Sequence, residues 1–398
     1  MVRGAGQGRH GVKDLLVTAI PTKSDFTSRL RGPVVASRVG VLLGICFAVA
    51  FLTGVWSHYL QDQPTWLTLP TRPVWLYRVI QGLHVIAGTA AVPLLLVKLW
   101  SVYHNLFAAV PWRMTRQLVV HLLERASIAA LVASAIFQLV TGLVNITHWY
   151  PWAFSFRSTH YAVAWIAIGA LVVHIAVKLP LIRESLAADI DDSADPVRES
   201  HGLSRRGLVR ASMLAAGVAV LGTAGSTVPM LRSVSVFGVR SGNGPQGVPV
   251  NMSAQAAGVV SRALSPSYRL SVVGVSGTVT LSRDDLLAMQ QHSEALPIAC
   301  VEGWSATGVW TGVRMRDLLD LVDAPARSAI HVVSLQEAGA FADSEMPGEF
   351  TEDPLTLLAL SLAGEPLSID HGFPARLIAP ARPGVLQTKW VTRIEVTS

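Results

Sequence analysis

The feature that most limits what this chain can become is a series of five apolar runs, at roughly Val39–Tyr59, Val79–Leu99, Ile128–Thr147, Tyr161–Leu179 and Gly207–Val228. Each approaches the ~20 residues that a helix needs to cross the hydrocarbon core of a bilayer. Charged residues make up only 15% of the chain and hydrophobic ones 51%, a balance that a soluble enzyme rarely shows. Charge also predicts an orientation. With the N-terminus inside, seventeen Lys and Arg fall in the inner segments and only Arg72, Arg78 and Arg157 in the outer loops, as the positive-inside rule requires. An odd number of spans then places everything after Val228 outside.

The charge is unevenly divided. Residues 1–229 carry 20 Lys and Arg against 10 Asp and Glu, whereas residues 230–398 carry 12 against 16. A basic membrane part followed by a mildly acidic globular part fits this division. No basic stripe with interleaved aromatics is present, so nucleic acid is not an expected partner. The expected organisation is a cytoplasmic tail (1–37), a four-helix membrane domain (38–180), a cytoplasmic loop with a fifth helix (181–229), a linker (230–264) and an outer domain (265–398). The tail has a short amphipathic piece around Leu15 to Ile20 and no cleavable signal peptide at its start. Before the fifth run, Ser204-Arg205-Arg206-Gly207-Leu208-Val209-Arg210 resembles a twin-arginine export signal; an ordinary positive flank is the alternative.

Histidines in lipid are costly and usually functional. His160 and His174 are 14 residues apart on one predicted helix, which returns them to within about 40° of one another and separates them by ~21 Å along the axis. Such a pair suits a helix holding two stacked haems, since imidazole nitrogen is a normal axial ligand of haem iron. His84 on the second span has the depth to face His160. For the inner position His104 and His121 are both candidates, His104 only if Pro93 bends its helix. His58 and His148 lie at the outer ends of their spans. Histidines that merely bond between helices are the plain alternative. No Cys-x-x-Cys-His occurs, which excludes c-type attachment.

Only two cysteines are present, Cys46 within an apolar run and Cys300. They make no disulfide framework. Cys300 sits in Pro297-Ile298-Ala299-Cys300-Val301-Glu302-Gly303-Trp304-Ser305, where Gly303 permits a sharp bend. By itself it is a nucleophile, a metal ligand or an inert buried thiol. Around it short β patterns dominate: strands at Tyr268–Val275, Thr278–Leu281, Ile330–Leu335, Ala375–Ile378 and Val391–Val396. Helices are expected after Ser282, at Met315–Leu321 and at Leu355–Leu360. This is an α+β, mainly β domain large enough for one core.

Two resemblances follow. Residues 39–179, with their 14-residue histidine pair, resemble the four-helix di-haem cytochrome b subunits of bacterial respiratory enzymes. The inner half of the first span lacks the histidine of that pattern, so one or two haems b are implied. Residues 265–398 resemble the molybdenum-cofactor domain of the sulfite oxidase superfamily, within it the bacterial branch with the periplasmic methionine-sulfoxide reductase catalytic subunit. The matching pieces are the Cys300-Val301-Glu302-Gly303-Trp304-Ser305 loop, a Trp310-Thr311-Gly312-Val313 turn, the Asp353-Pro354-Leu355-Thr356 helix start, His371-Gly372-Phe373-Pro374-Ala375-Arg376 and Thr388-Lys389-Trp390.

The second resemblance implies Cys300 as the molybdenum ligand, a soft thiolate to which the metal is suited. It implies His371, Arg376, Thr388 and Lys389, with Asn251, as contacts of the pterin phosphate. Glu302 is either a proton relay or a solvated loop carboxylate. The expected fold is thus a four-plus-one helix membrane bundle followed by a sulfite-oxidase-like domain. The expected function is oxygen-atom transfer on a small oxyanion or sulfoxide outside the inner membrane, coupled through haem b to quinone or another membrane carrier. A membrane electron-transfer or sensory protein whose outer domain binds pterin without turnover is the second reading.

Overall fold

The computed structural model describes residues 26, 28, 30–64, 66–107, 115–147, 149, 151–190, 203–238, 244–339 and 342–397. The amphipathic piece around Leu15 to Ile20 and His148 lie outside the described residues. Every one of the five apolar runs is helical: α1 (Pro33–Gln61), α2 (Leu76–Val102), α3 (Thr115–Ile146), α4 (Phe156–Ala187) and α5 (Arg205–Thr223). Among the described residues, five helices are long and apolar enough to cross a membrane. Leu52, Leu96, Val172 and Leu214 stand exposed on them, so these helices are apolar outside as well as inside. Helix α3 begins well before its apolar run, because Leu122-Leu123-Glu124-Arg125-Ala126 are good helix formers. Polarity ends the run there but not the helix. Helix α2 runs on through Pro93. The Ser204 side chain, within the arginine-rich motif, accepts from the Gly207 amide at 3.0 Å and caps α5.

The chain divides into two compact units. The first takes in the chain up to Ile45, Ala91–Ala135 and Ile166–Ala216. In it the Arg38 guanidinium donates to the carbonyls of Ser185 (3.0 Å) and Ala188 (2.8 Å), satisfying acceptors that the end of α4 leaves open. Lys98 donates to the Ala36 carbonyl at 2.7 Å, and Lys178 pairs with Glu124.

The second unit takes in Cys46–Ala90, Ile136–Trp165 and Gly217–Ser398. Its β part holds two five-stranded sheets. One has the order β2 (Gly277–Leu281), β1 (Leu270–Gly274), β10 (Val391–Thr397), β5 (Ala329–Ser334), β6 (Asp343–Met346), with β1 and β10 parallel. The other runs β3 (His292–Ala299), β4 (Ser305–Arg314), β7 (Leu357–Leu362), β8 (Glu365–Pro366), with β9 (Arg376–Ile378) also on β7. The helix expected after Ser282 forms at Arg283–Ala288 with a reciprocal cap between Ser282 and Asp285. Two residues of the segment between α1 and α2 bind this domain directly. Arg72 makes a bidentate pair with the buried Asp353, at 2.5 and 2.7 Å, and Gln63 donates to Glu349 at 2.9 Å.

Two local expectations are corrected. Leu355–Leu360 is not a helix; Leu357–Leu362 is strand β7, pinned between β4 and β9. Its Leu and Ala residues favour helix on their own, but Leu357, Leu358, Ala359, Leu360 and Leu362 are all fully buried. A short continuous apolar run of this kind belongs equally to a central strand, and tertiary pairing decides. Likewise Trp310-Thr311-Gly312-Val313 is no turn but the bulged middle of β4, with the register shift between Thr311 and Gly312. The stretch expected as a linker is built into the domain from Pro245 onward: Val248, Ala254, Val259 and Ala263 are buried, the last three around Trp390.

Leu358 has no room to be replaced by water. Leu358→Ala is expected to destabilise the chain by about 2–5 kcal/mol, whereas Val309→Ala on the exposed face of β4 changes it by roughly 0.5 kcal/mol or less. Thermal denaturation of the two purified variants in detergent checks the difference.

Candidate active site

The hairpin between β3 and β4 makes the site. Strand pairing runs to Ala299 opposite Ser305, and the turn is closed by the Cys300 amide donating to the Trp304 carbonyl at 2.9 Å and the Gly303 amide to the Cys300 carbonyl at 3.0 Å. Gly303 has φ +90°, the left-handed residue that a three-residue hairpin loop needs. Cys300 is therefore fixed at the end of a strand, 1% exposed, and lines a cleft of about 430 Å³. Glu302 is buried as well, its Oε2 accepting from Trp304 Nε1 at 3.1 Å; it is not a solvated loop carboxylate.

The facing wall of the cleft is cationic. His371 ends a 3₁₀ turn, Ile369–His371, capped by Ser368. The next residue, Gly372, has φ +109°, and a Cβ there would lie 2.9 Å from the Arg376 Cβ and 3.1 Å from the Lys389 Cβ. Only glycine lets those two stems stand side by side. Arg376 opens β9 and donates to the carbonyls of His371 and Gln387, both at 3.2 Å, with its guanidinium 5.1 Å over the Trp310 ring. Lys389, just before β10, donates to the carbonyls of Met252 and Asp370. His371 Nε2 bonds to the Pro245 carbonyl at 2.7 Å.

Burial dominates the electrostatics. It holds Arg376 down at about 9. Burial, then the charge of Arg376, lowers Lys389 to about 7 and His371 to about 4. Among the described residues, the hydrogen bonds of Lys389 and Arg376 run to carbonyl oxygens. A bound anion would favour their charged forms.

Cys300, His371, Arg376, Thr388, Lys389 and Asn251 all line this one cleft. Thr388 is oriented by Ser344, hydroxyl to hydroxyl at 2.7 Å. The sequence reading missed Gln387, Trp304 and the Pro249-Val250 wall. Gln387 Nε2 is taken up by the Arg382 carbonyl at 3.0 Å, but its Oε1 and the Arg376 Nε are buried without partners among the described residues. Gln387 precedes the Thr388-Lys389-Trp390 motif directly, so adjacency was the available signal. A soft thiol, two cations and orphaned polar atoms gathered in one cleft fit an anionic, sulfur-bearing metal cofactor.

A second constellation lies on the helices of the same unit. The His84 and His160 rings meet edge-on, centroids 6.4 Å apart and planes inclined at 65°. His84 Nδ1 bonds to the Ala50 carbonyl at 2.9 Å and lies 3.2 Å from Thr53 Oγ1. His160 Nδ1 lies 2.9 Å from Thr141 Oγ1. Protein partners thus use Nδ1 of both rings, the arrangement that orients a histidine for ligation through its other nitrogen. The spacing also suits a metal ion held at about 2 Å from a nitrogen on each side. His174 belongs to the other unit, where Lys98, Lys178 and Glu124 surround it. His104 falls in the 3₁₀ turn Tyr103–Phe107 of that unit. His58 stacks on Tyr161, centroids 3.6 Å apart.

Comparison with known proteins matches residues 257–398 to the family described as oxidoreductase molybdopterin binding domain. The mitochondrial sulfite oxidase of Mus musculus is 29% identical over 160 residues, covering 33% of this chain and 29% of the mouse protein. A chain of Azospira oryzae, provisionally named a protein-methionine-sulfoxide reductase subunit, is 34% identical over 133 residues, covering 33% of this chain and 50% of that one. The protein-methionine-sulfoxide reductase catalytic subunit of Campylobacter jejuni is 24% identical over 146 residues, covering 33% and 49%. The chain thus spans under a third of the length of the first relatives that it matches and about half that of the bacterial ones. Its C-terminal part is a molybdopterin-binding oxidoreductase domain of the sulfite oxidase superfamily.

The lowered Lys389 value has a definite sign in the cofactor-free protein. Below about 7 the buried ammonium opposes folding in full; as the pH rises toward the unfolded value of 10.5, the penalty is relieved. Lys389→Met should therefore stabilise cofactor-free protein most at pH 6 to 7, and the gain should shrink toward pH 10. Urea or thermal denaturation across that range checks it; a gain independent of pH would contradict the assignment.

Proposed function

We propose that this chain is a membrane-bound, molybdenum-dependent oxidoreductase that transfers an oxygen atom on a small substrate outside the membrane, fed through haem b by quinone or another membrane carrier. The observation that carries the reading is the meeting in one cleft of the buried thiol of Cys300 with Arg376 and Lys389. Cys300 would ligate the molybdenum. Arg376 would grip the pterin phosphate through its planar fork and Lys389 as a point charge, with His371, Thr388, Gln387 and Asn251 completing the wall. The bound cofactor supplies two-electron oxygen-atom chemistry. The chain's own part is to hold the thiolate rigid at the strand end, to keep water from the metal side through Trp304, and to offer the Glu302 carboxyl, two residues from Cys300, as a proton relay.

A sulfoxide is the favoured substrate class. A doubly charged oxyanion calls for further arginines, and Arg314, Arg382 and Arg393 are the available ones. None of them lines the cleft. Arg382 is spent on the carbonyls of Leu386 and Glu345, and Arg393 pairs with Glu395. The relatives named as methionine-sulfoxide reductases agree with this choice.

The adjacent rings of His84 and His160 support one haem b. His174, among Lys98, Lys178 and Glu124, gives less support to a second. The seventeen-to-three division of Lys and Arg between alternate sides of the spans supports an N-terminus in the cytoplasm and a catalytic domain outside, and the motif at Ser204–Arg210 fits twin-arginine export of a domain folded around its cofactor.

Cys300→Ser should abolish sulfoxide reduction driven by a dye donor and lower the molybdenum content, while leaving the reduced-minus-oxidised b-type spectrum in place. His84→Ala or His160→Ala should do the opposite, removing the b-type band and quinol-driven turnover but keeping molybdenum. Parent protein without molybdenum, or a Cys300→Ser variant with full activity, would end this reading.

A further inference from the structure

The tip of the Cys300 hairpin is held by the helices as well as by its own turn. The Val301 carbonyl accepts from Gln81 Nε2 at 3.2 Å and from Asn145 Nδ2 at 3.1 Å. Both amides are 5% exposed. The Gly303 carbonyl accepts from Thr227 Oγ1, and a Cβ on Gly303 would press on Val85 at 3.1 Å. Two helices thus converge on one peptide group, the Val301–Glu302 peptide, one residue beyond Cys300.

The register of those helices is the telling point. Gln81 precedes His84 by three residues on α2, so the two share a face one turn apart. Asn145 follows Thr141 by four on α3, and Thr141 is the residue whose hydroxyl meets His160 Nδ1 at 2.9 Å. Gln81 is itself fixed by a buried cluster: Ser57 Oγ and Tyr77 Oη each lie 3.5 Å from its Oε1, and 3.3 Å from one another. That cluster turns the Gln81 side chain so that its NH₂ faces Val301. His84 is therefore one helical turn from a carboxamide that grips the Cys300 loop, and Thr141, which meets His160, is one turn from the other.

We propose that Gln81 and Asn145 are positioning residues that join the histidine pair to the Cys300 loop, and that their shared acceptor, the Val301 carbonyl, is the point at which electrons leave the helices for the outer domain. This rests on the haem and molybdenum reading above. The balance is simple: the quinol-class donor gives up two electrons, which pass singly, and the sulfoxide takes up both with two protons, its sulfur–oxygen bond breaking to leave a thioether and water. A loop tied to both helices keeps the path short and of fixed length, and it holds the Cys300 sulfur still while charge arrives.

The test uses the full chain with Gln81→Leu, Asn145→Leu and the double variant, which keep the side-chain bulk but remove the donated hydrogen bonds. In pre-reduced protein mixed with a sulfoxide, reoxidation of the b-type band should slow by about tenfold or more in the double variant, each single variant falling between. That loss should exceed any loss of dye-driven turnover. In protein from molybdenum-starved cells, Cys300 should react faster with a maleimide in the variants than in the parent. Reoxidation at the parental rate in a double variant that keeps its b-type band overturns this inference alone; a parent without the band overturns it together with the haem reading. If the double variant loses its haem, the two single variants decide by the same two measurements, and parental rates in both overturn it.

Discussion

Everything about the C-terminal domain turns on two cations kept away from water. Arg376 and Lys389 are buried against carbonyl oxygens and aromatic faces, which soften but do not cancel the desolvation of a charge. Neighbouring structure holds them there: Gly372 admits both stems, β9 and β10 carry them, and the Asn251 stretch closes over them. A domain arranged this way is complete only with an anion in the cleft. The thiol in the same cleft then limits which anion: one that also presents a soft metal to sulfur. Cofactor selection is thus an outcome of charge burial as much as of shape.

The sequence disclosed the parts of the fold governed by long, one-sided signals. Five apolar runs became five helices, and the Ser282 cap held to the atom. It failed where two structures share one pattern. Leu355-Thr356-Leu357-Leu358-Ala359-Leu360 reads equally as helix or buried strand, and only pairing with β4 and β9 separates them. The cleft was legible because its motifs are compact, so Cys300, His371, Arg376, Thr388 and Lys389 meet as their spacing in the chain could never have required. Gln387 and Trp304 stayed hidden for lack of any charge or rarity to mark them. His84 and His160 were paired from depth alone, and the structure sets their rings edge-on at 6.4 Å; what no sequence pattern could reveal is that Gln81 and Asn145 lean on the same carbonyl.

The hairpin also shows how the chain reconciles rigidity with access. Its strand end fixes Cys300, its left-handed Gly303 turns the chain sharply, and its tip rests on polar side chains from the helices. Each of these acts on backbone groups, which tolerate substitution of the Val301 side chain far better than loss of the carbonyls' partners. The sulfur's position is therefore set by main-chain geometry, with side chains left to tune its surroundings.

The Pro249–Asn251 wall has a practical bearing on how this molecule can be handled. It precedes residue 257, where the family resemblance begins, and it would pass for a disposable tether. A soluble fragment cut at that apparent frontier would be missing a side of its own binding chamber. Any excised version, or any fusion that swaps this module onto a foreign anchor, must therefore begin upstream of Pro245, in the short run of chain that has only just left the last helix.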